Sequence, residues 1–74
     1  MVQVTIRFVD GSIKEFDEGP AFLERLTDLR TRGYTGKELI HALLTDDWGP
    51  PPLHINITGV SESGEKIDIT IPYK

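Results

Sequence analysis

The chain has 74 residues, 38% of them hydrophobic and 27% charged, a net charge of −4 and no cysteine. A chain this short holds one domain and one core and buries only roughly 60% of its extended surface on folding. Without cysteine it has no disulfides, thiolate metal sites or cysteine nucleophile, and its mild acidity disfavours nonspecific nucleic-acid binding without reaching the charge density of a DNA mimic.

The opening stretch, MVQVTIRF, alternates Val2, Val4, Ile6 and Phe8 with Gln3, Thr5 and Arg7, the period-2 pattern of a half-buried strand. A secretory leader would instead show a basic end and a continuous apolar stretch. No apolar run approaches the ~18 residues of a membrane span. A cytoplasmic location is the expectation.

The reversal VDGS allows two registers. A two-residue Asp10-Gly11 turn would set Ile6 against Glu15 and Val4 against Asp17, wasting the apolar face. A loop of Val9-Asp10-Gly11, with Gly11 left-handed, pairs Val4 with Phe16 and Arg7 with Ile13 instead. The second is preferred, although it leaves Lys14 opposite Ile6.

Gly19-Pro20 then opens a helix, with proline near the first helical position, where its missing N–H costs nothing. Phe22, Leu26 and Leu29, widened by Leu23, form the buried stripe. Arg30 and Arg32 suit the last turn, and Gly33 stops the helix. A second helix follows, announced by a Thr35–Glu38 capping box and by Tyr34, placed to staple onto Leu39. Its stripe is Leu39, Ile40, Leu43 and Leu44.

The remainder reads as a second hairpin. Leu53, Ile55 and Ile57 alternate on one arm, and Ile67, Ile69, Ile71 and Tyr73 on the other. A loop of Glu62-Ser63-Gly64 pairs Ile57 with Ile69, Ile55 with Ile71 and Leu53 with Tyr73, so apolar pattern and turn chemistry select one register. His54, Asn56, Thr58, Asp68 and Thr70 then face outward.

Residues 1–74 are therefore expected to form one small α+β domain, a ββααββ two-layer sandwich. Its four-stranded, mostly antiparallel sheet is given the order 2-1-4-3, and both helices cover one face. Within it, VTIRFVDGSIKEFDEGPAFLERL resembles the opening hairpin and helix of TGS and ThiS-type β-grasp domains. These often carry a strand, a DGS turn, a second strand ending in an acidic-Gly pair, and a helix. The resemblance spans about a third of the chain. The second helix and TDDWGPPP depart from the β-grasp layout, which puts a strand there, so no function is carried over.

Candidate chemistry is sparse. His41 is placed on the polar side of the second helix and His54 on the outward face of the third strand, and neither has companion ligands at metal-binding spacing. Ser12, Ser61 and Ser63 fall at turns, where serine serves the backbone. No nucleophile elbow, phosphate-binding loop or HExxH motif appears. The Asn56-Ile57-Thr58 sequon is read as incidental. Neither catalytic residues nor a cofactor is assigned, and an enzyme is the class least expected.

Two constellations remain. Asp46-Asp47-Trp48, followed by Gly49 and Pro50 to Pro52, stands where a helix end favours cations. Trp48 suits folding back over the seam between the helices; the functional reading is an acidic-aromatic surface beside a stiff polyproline segment. On that reading Asp46, Asp47, Trp48, Pro51 and His54 bind another protein or a second copy of the chain. Arg25, Arg30, Arg32 and Lys37 gather around the helix–helix turn. The bland reading pairs them with the helix dipole and with Glu24 and Asp28; the alternative makes the chain a nucleic-acid accessory protein. Lys14, Glu15, Asp17 and Glu18 blunt one sheet edge. Under the expected order, Ile55 to Thr58 lie on the other edge, and a homodimer would use this edge or the polar sheet face.

Overall fold

Alternation in the first eighteen residues becomes a hairpin in the computed structural model, which describes residues 2–44 and 51–73. Strand β1 (Val2–Phe8) pairs antiparallel with β2 (Ile13–Glu18), placing Val4 against Phe16, Arg7 against Ile13 and Lys14 against Ile6. The three-residue loop is the one that the apolar pattern selects. Gly11 N–H donates to the Phe8 carbonyl and Phe8 N–H to the Ser12 carbonyl, both at 3.0 Å, with Gly11 at φ 90°. Asp10 Oδ1 accepts the Ser12 hydroxyl at 2.6 Å and the Ser12 N–H at 2.9 Å, tying the loop locally.

Helix α1 (Pro20–Thr31) starts with proline in its first turn and buries Phe22, Leu26 and Leu29. It ends where Gly33 permits: Gly33 N–H reaches the Arg30 carbonyl at 3.0 Å and Tyr34 N–H the Leu29 carbonyl at 3.1 Å, the paired bonds of a Schellman close. Helix α2 (Gly36–Leu43) buries Leu39, Ile40 and Leu43. Here the expected capping box is not made. Thr35 is the N-cap residue, but its side chain forms no cap hydrogen bond. Gly36 takes φ 53°, so the first residue after the cap departs from the geometry a capping box requires.

The second hairpin pairs β3 (Pro52–Val60) with β4 (Lys66–Pro72), setting Ile57 against Ile69 and Ile55 against Ile71. Tyr73 N–H donates to the Leu53 carbonyl at 3.0 Å, extending that register by one more pair. Gly64, at φ 88°, closes this loop as Gly11 closes the first.

The sheet order is β2-β1-β3-β4 with every neighbouring pair antiparallel, which corrects the expected 2-1-4-3. Both arms of the second hairpin carry the same alternating isoleucines, so apolar pattern alone does not say which arm lies beside β1. Direction decides: β3 runs antiparallel to β1, and that pairing is slightly more stable per residue than the parallel pairing β4 would have made. Pro72 agrees, since a strand residue without an N–H belongs on an edge. Among the described residues the open edges are therefore β2 and β4. The stretch Ile55 to Thr58, expected to lie on an edge, is paired on both sides. The second helix, α2, is present where a β-grasp layout would put a strand.

Val2, Val4, Ile6 and Phe8 from β1 meet Ile55 and Ile57 from β3, Ile71 from β4, the helix stripes and Leu44 in one core. No polar or charged side chain is buried among the described residues. The helices take one face of the sheet and leave the other open.

Asp10 supplies a test of the first turn. The Ser12 hydroxyl, then the Ser12 N–H, hold its carboxyl below the ordinary aspartate range. A carboxyl whose pKa falls on folding stabilises the fold above its unfolded value and loses that contribution as pH drops through the folded value. Asp10→Ala should therefore lower Tm at neutral pH, with the gap to wild type closing below pH ~4. A gap that stays constant into strong acid would show that the hydrogen bonds, not the charge, matter.

Candidate functional site

On the open face, antiparallel pairing sorts side chains into rows. Arg7 lies between Ile13 and His54, and His54 lies against Pro72. The next row runs Glu15, Thr5, Asn56, Thr70, and the one after it Asp17, Gln3, Thr58, Asp68. The charge is graded, with Arg7 at one end and Asp17 and Asp68 toward the other. Asn56 knits the middle: its Nδ2 donates to Thr70 Oγ1 at 3.0 Å, Asp68 Oδ1 at 3.1 Å and the Ile69 carbonyl at 3.3 Å.

The Arg7 end differs in kind. Pairing between β1 and β3 slips there from Arg7–His54 to Phe8–Pro52, leaving Leu53 as an extra residue in a β-bulge. Pro52 consequently becomes buried, and Leu53, expected on the inner face, is 48% exposed. Ile13 is 49% exposed in the row with Arg7, and Val9, in the adjoining loop, is 56% exposed. Three of the five exposed large hydrophobic residues among those described thus cluster at one end of the sheet, beside a guanidinium and an imidazole. Two strand spacings, about 10 Å, separate Ile13 from His54.

This end includes His54, half-buried, and the exposed Pro51, two of the residues read from sequence as partner-binding. Asp46, Asp47 and Trp48 lie outside the described residues. Sequence reading missed Val9, Ile13, Arg7 and Leu53. For Ile13 the signal was present, since the preferred hairpin register already set it against Arg7 on the outward face. Leu53 was hidden because a bulge breaks the alternation by which a strand is read.

The basic cluster does not act as a unit. Arg25 Nη2 donates to the Leu43 carbonyl at 2.7 Å, and its guanidinium lies 5.9 Å from the Phe22 ring centroid. It therefore places a cation at the C-terminal end of α2, where the dipole favours one, and fastens α1 to α2. Arg32 Nε sits 3.2 Å from Asp28 Oδ2 in an exposed pair one turn apart. Arg30 and Lys37 are exposed. His41, expected on the polar side of α2, is exposed there, and its Nε2 also hydrogen-bonds with the Tyr73 hydroxyl at 2.9 Å, with the rings edge-on at 5.6 Å. That contact ties α2 to the residue following β4. Among the described residues no group of three or more His, Cys, Asp or Glu side chains could hold a metal ion, and no helix is long and apolar enough to cross a membrane.

No protein-family model, curated protein or solved structure matches the chain.

Arg25→Ala should cost about 1–2 kcal/mol in chemical denaturation, the value of one charge-assisted bond to a helix end in a partly solvated setting. Arg25→Lys should recover only part, because an ammonium lacks the planar fork that spans Phe22 and the Leu43 carbonyl.

Proposed function

We propose that this chain is a non-enzymatic protein-binding module whose docking surface is the Arg7 end of the open sheet face. The exposed cluster of Val9, Ile13 and Leu53 around Arg7 and His54 carries the reading. Exposed apolar residues gathered beside a guanidinium favour a protein contact, since the apolar area gains by being covered and arginine is enriched at interfaces. The fitting partner offers an apolar side chain flanked by a carboxylate. A shallow concavity along α1, between Leu23, Glu24, Thr27, Asp28 and Thr31, is open to solvent, and one of its two carboxylates, Asp28, is paired with Arg32. Nucleic acid is the weaker reading, because Arg25 and Arg32 already have intramolecular partners.

Two measurements test this. Fluorescence anisotropy with generic DNA and RNA should show no micromolar binding at low salt; steeply salt-dependent micromolar binding would move the function to the cations. In crosslinking from the native host's lysate, the double variant Ile13→Thr with Leu53→Lys should lose the proteins that wild type retains. Both positions are solvent-exposed, so each change should alter stability by no more than about 0.5 kcal/mol. Identical crosslinking profiles for wild type and variant would remove this surface from consideration.

A further inference from the structure

We infer that β4 is a self-complementary edge through which two copies of the chain join their sheets antiparallel, with Ile69 on the two-fold axis. This surface is distinct from the Arg7 patch and stands independently of it.

The two edges differ in what they offer. On β2, Lys14, Glu15, Asp17 and Glu18 make four of six residues charged, three of them acidic, which sets like charges close together when two such strands pair. On β4 only Lys66 and Asp68 of seven residues are charged. Its inner face carries Ile67 and Ile69, both only half-buried beneath the helices. A strand added at this edge would extend the sheet under the helices and cover more of them.

Backbone parity determines which groups are free. Tyr73 N–H bonds to Leu53, so Ile71, Ile69 and Ile67, an even number of residues away, also direct their backbone groups toward β3. Lys66, Asp68, Thr70 and Pro72 direct theirs outward. A second copy must therefore pair outward residues with outward residues, which leaves few symmetric registers.

Centring the axis on Asp68 sets two carboxylates face to face, and centring it on Thr70 leaves Lys66 and Ile67 outside the ladder. Centring it on Ile67 pairs Lys66 with Asp68 but leaves Thr70, Ile71 and Pro72 outside the ladder. Centring it on Ile69 uses the whole strand: Asp68 lies against Thr70, Lys66 against Pro72, Ile67 against Ile71, and Ile69 against its own copy. Asp68 and Thr70 exchange both backbone bonds across the axis. Lys66 N–H reaches the Pro72 carbonyl, and Pro72, lacking an N–H, returns nothing, which ends the ladder there. No like charges are opposed and isoleucine meets isoleucine on the buried face, the self-complementarity a two-fold interface requires. Each copy carries a net charge of −4, so added salt should strengthen the pairing of the wild-type chain.

Sedimentation velocity across a concentration series tests the interface, and Thr70 tests the register. Wild type should shift from monomer to dimer with concentration. In NMR exchange the Asp68 and Thr70 amides should gain protection as dimer forms, while those of Glu15 and Asp17 do not. Thr70→Lys sets an ammonium against Asp68 of the second copy, twice, and should tighten the dimer by roughly 2- to 30-fold at low salt, less at high salt. Thr70→Pro removes an outward N–H, leaves β4's bonds to β3 intact and should abolish the dimer, while circular dichroism at low concentration matches wild type. A wild-type chain that stays monomeric at millimolar concentration overturns the inference. So does a Thr70→Lys dimer that is weakened, as the Asp68-centred register requires, or unchanged, as the Ile67-centred register requires. None of these results bears on the Arg7 patch, which Ile13 and Leu53 test separately.

Discussion

Everything else in this fold depends on the pairing of β1 with β3. It joins the two hairpins, which are otherwise separate local structures, and it brings together the most deeply buried side chains. Val4 lies against Ile57 and Ile6 against Ile55, all four at 0% exposure. Isolated hairpins are marginal in water, whereas four strands with one apolar face under two helices are not. The helices contribute by closing that face: α2 adds Ile40 and Leu43, also fully buried. Arg25 and His41 then pin the layers at two points, α1 to α2 and α2 to Tyr73.

What the sequence made legible was local. Each hairpin register could be read because a three-residue loop ending in glycine and a strict alternation on both arms required the same pairing. The strand order could not be read from alternation, which is identical on both arms of the second hairpin. The deciding marks were Pro72 inside the last strand and the direction of chain travel. The capping box at Thr35 was the right motif in the wrong local geometry, since Gly36 turns left-handed after it. A motif states which hydrogen bonds are available, and the backbone conformation settles which of them form.

The candidate site was legible only in fragments. His54 was placed on the outward face, and the hairpin register already put Ile13 beside Arg7. Those neighbours become a patch only because β1 and β3 lie side by side and a bulge turns Leu53 out. Arginine counting pointed the other way, toward a cluster in which one member caps a helix and another pairs along its own helix. Proximity in sequence concentrates charge without deciding whether it is available. Arg25 directs its charge to the Leu43 carbonyl, at the end of α2 where the helix dipole favours a cation.

A domain of this size covers only one face of its sheet, so the other must be soluble unaided. Most of the open face meets that demand: Gln3, Thr5, Thr58, Thr70, Glu15 and Asp17 are polar, and Asn56 bonds across to its neighbours. Ile13 does not meet it. A threonine opposite Arg7 would serve the strand as well, with comparable backbone preference and a polar group for the open face. Leu53 is a similar case, because a bulge needs an extra residue and not an apolar one. The requirements of folding account for the buried isoleucines of β3 and β4 and leave these two side chains unexplained. Each keeps about half its surface uncovered, and that half adds nothing to the fold. Val9, Ile13 and Leu53 gather at the Arg7 end, whereas Val60 is the one such residue described at the far end of β3, and that concentration separates the Arg7 end from the rest of the sheet.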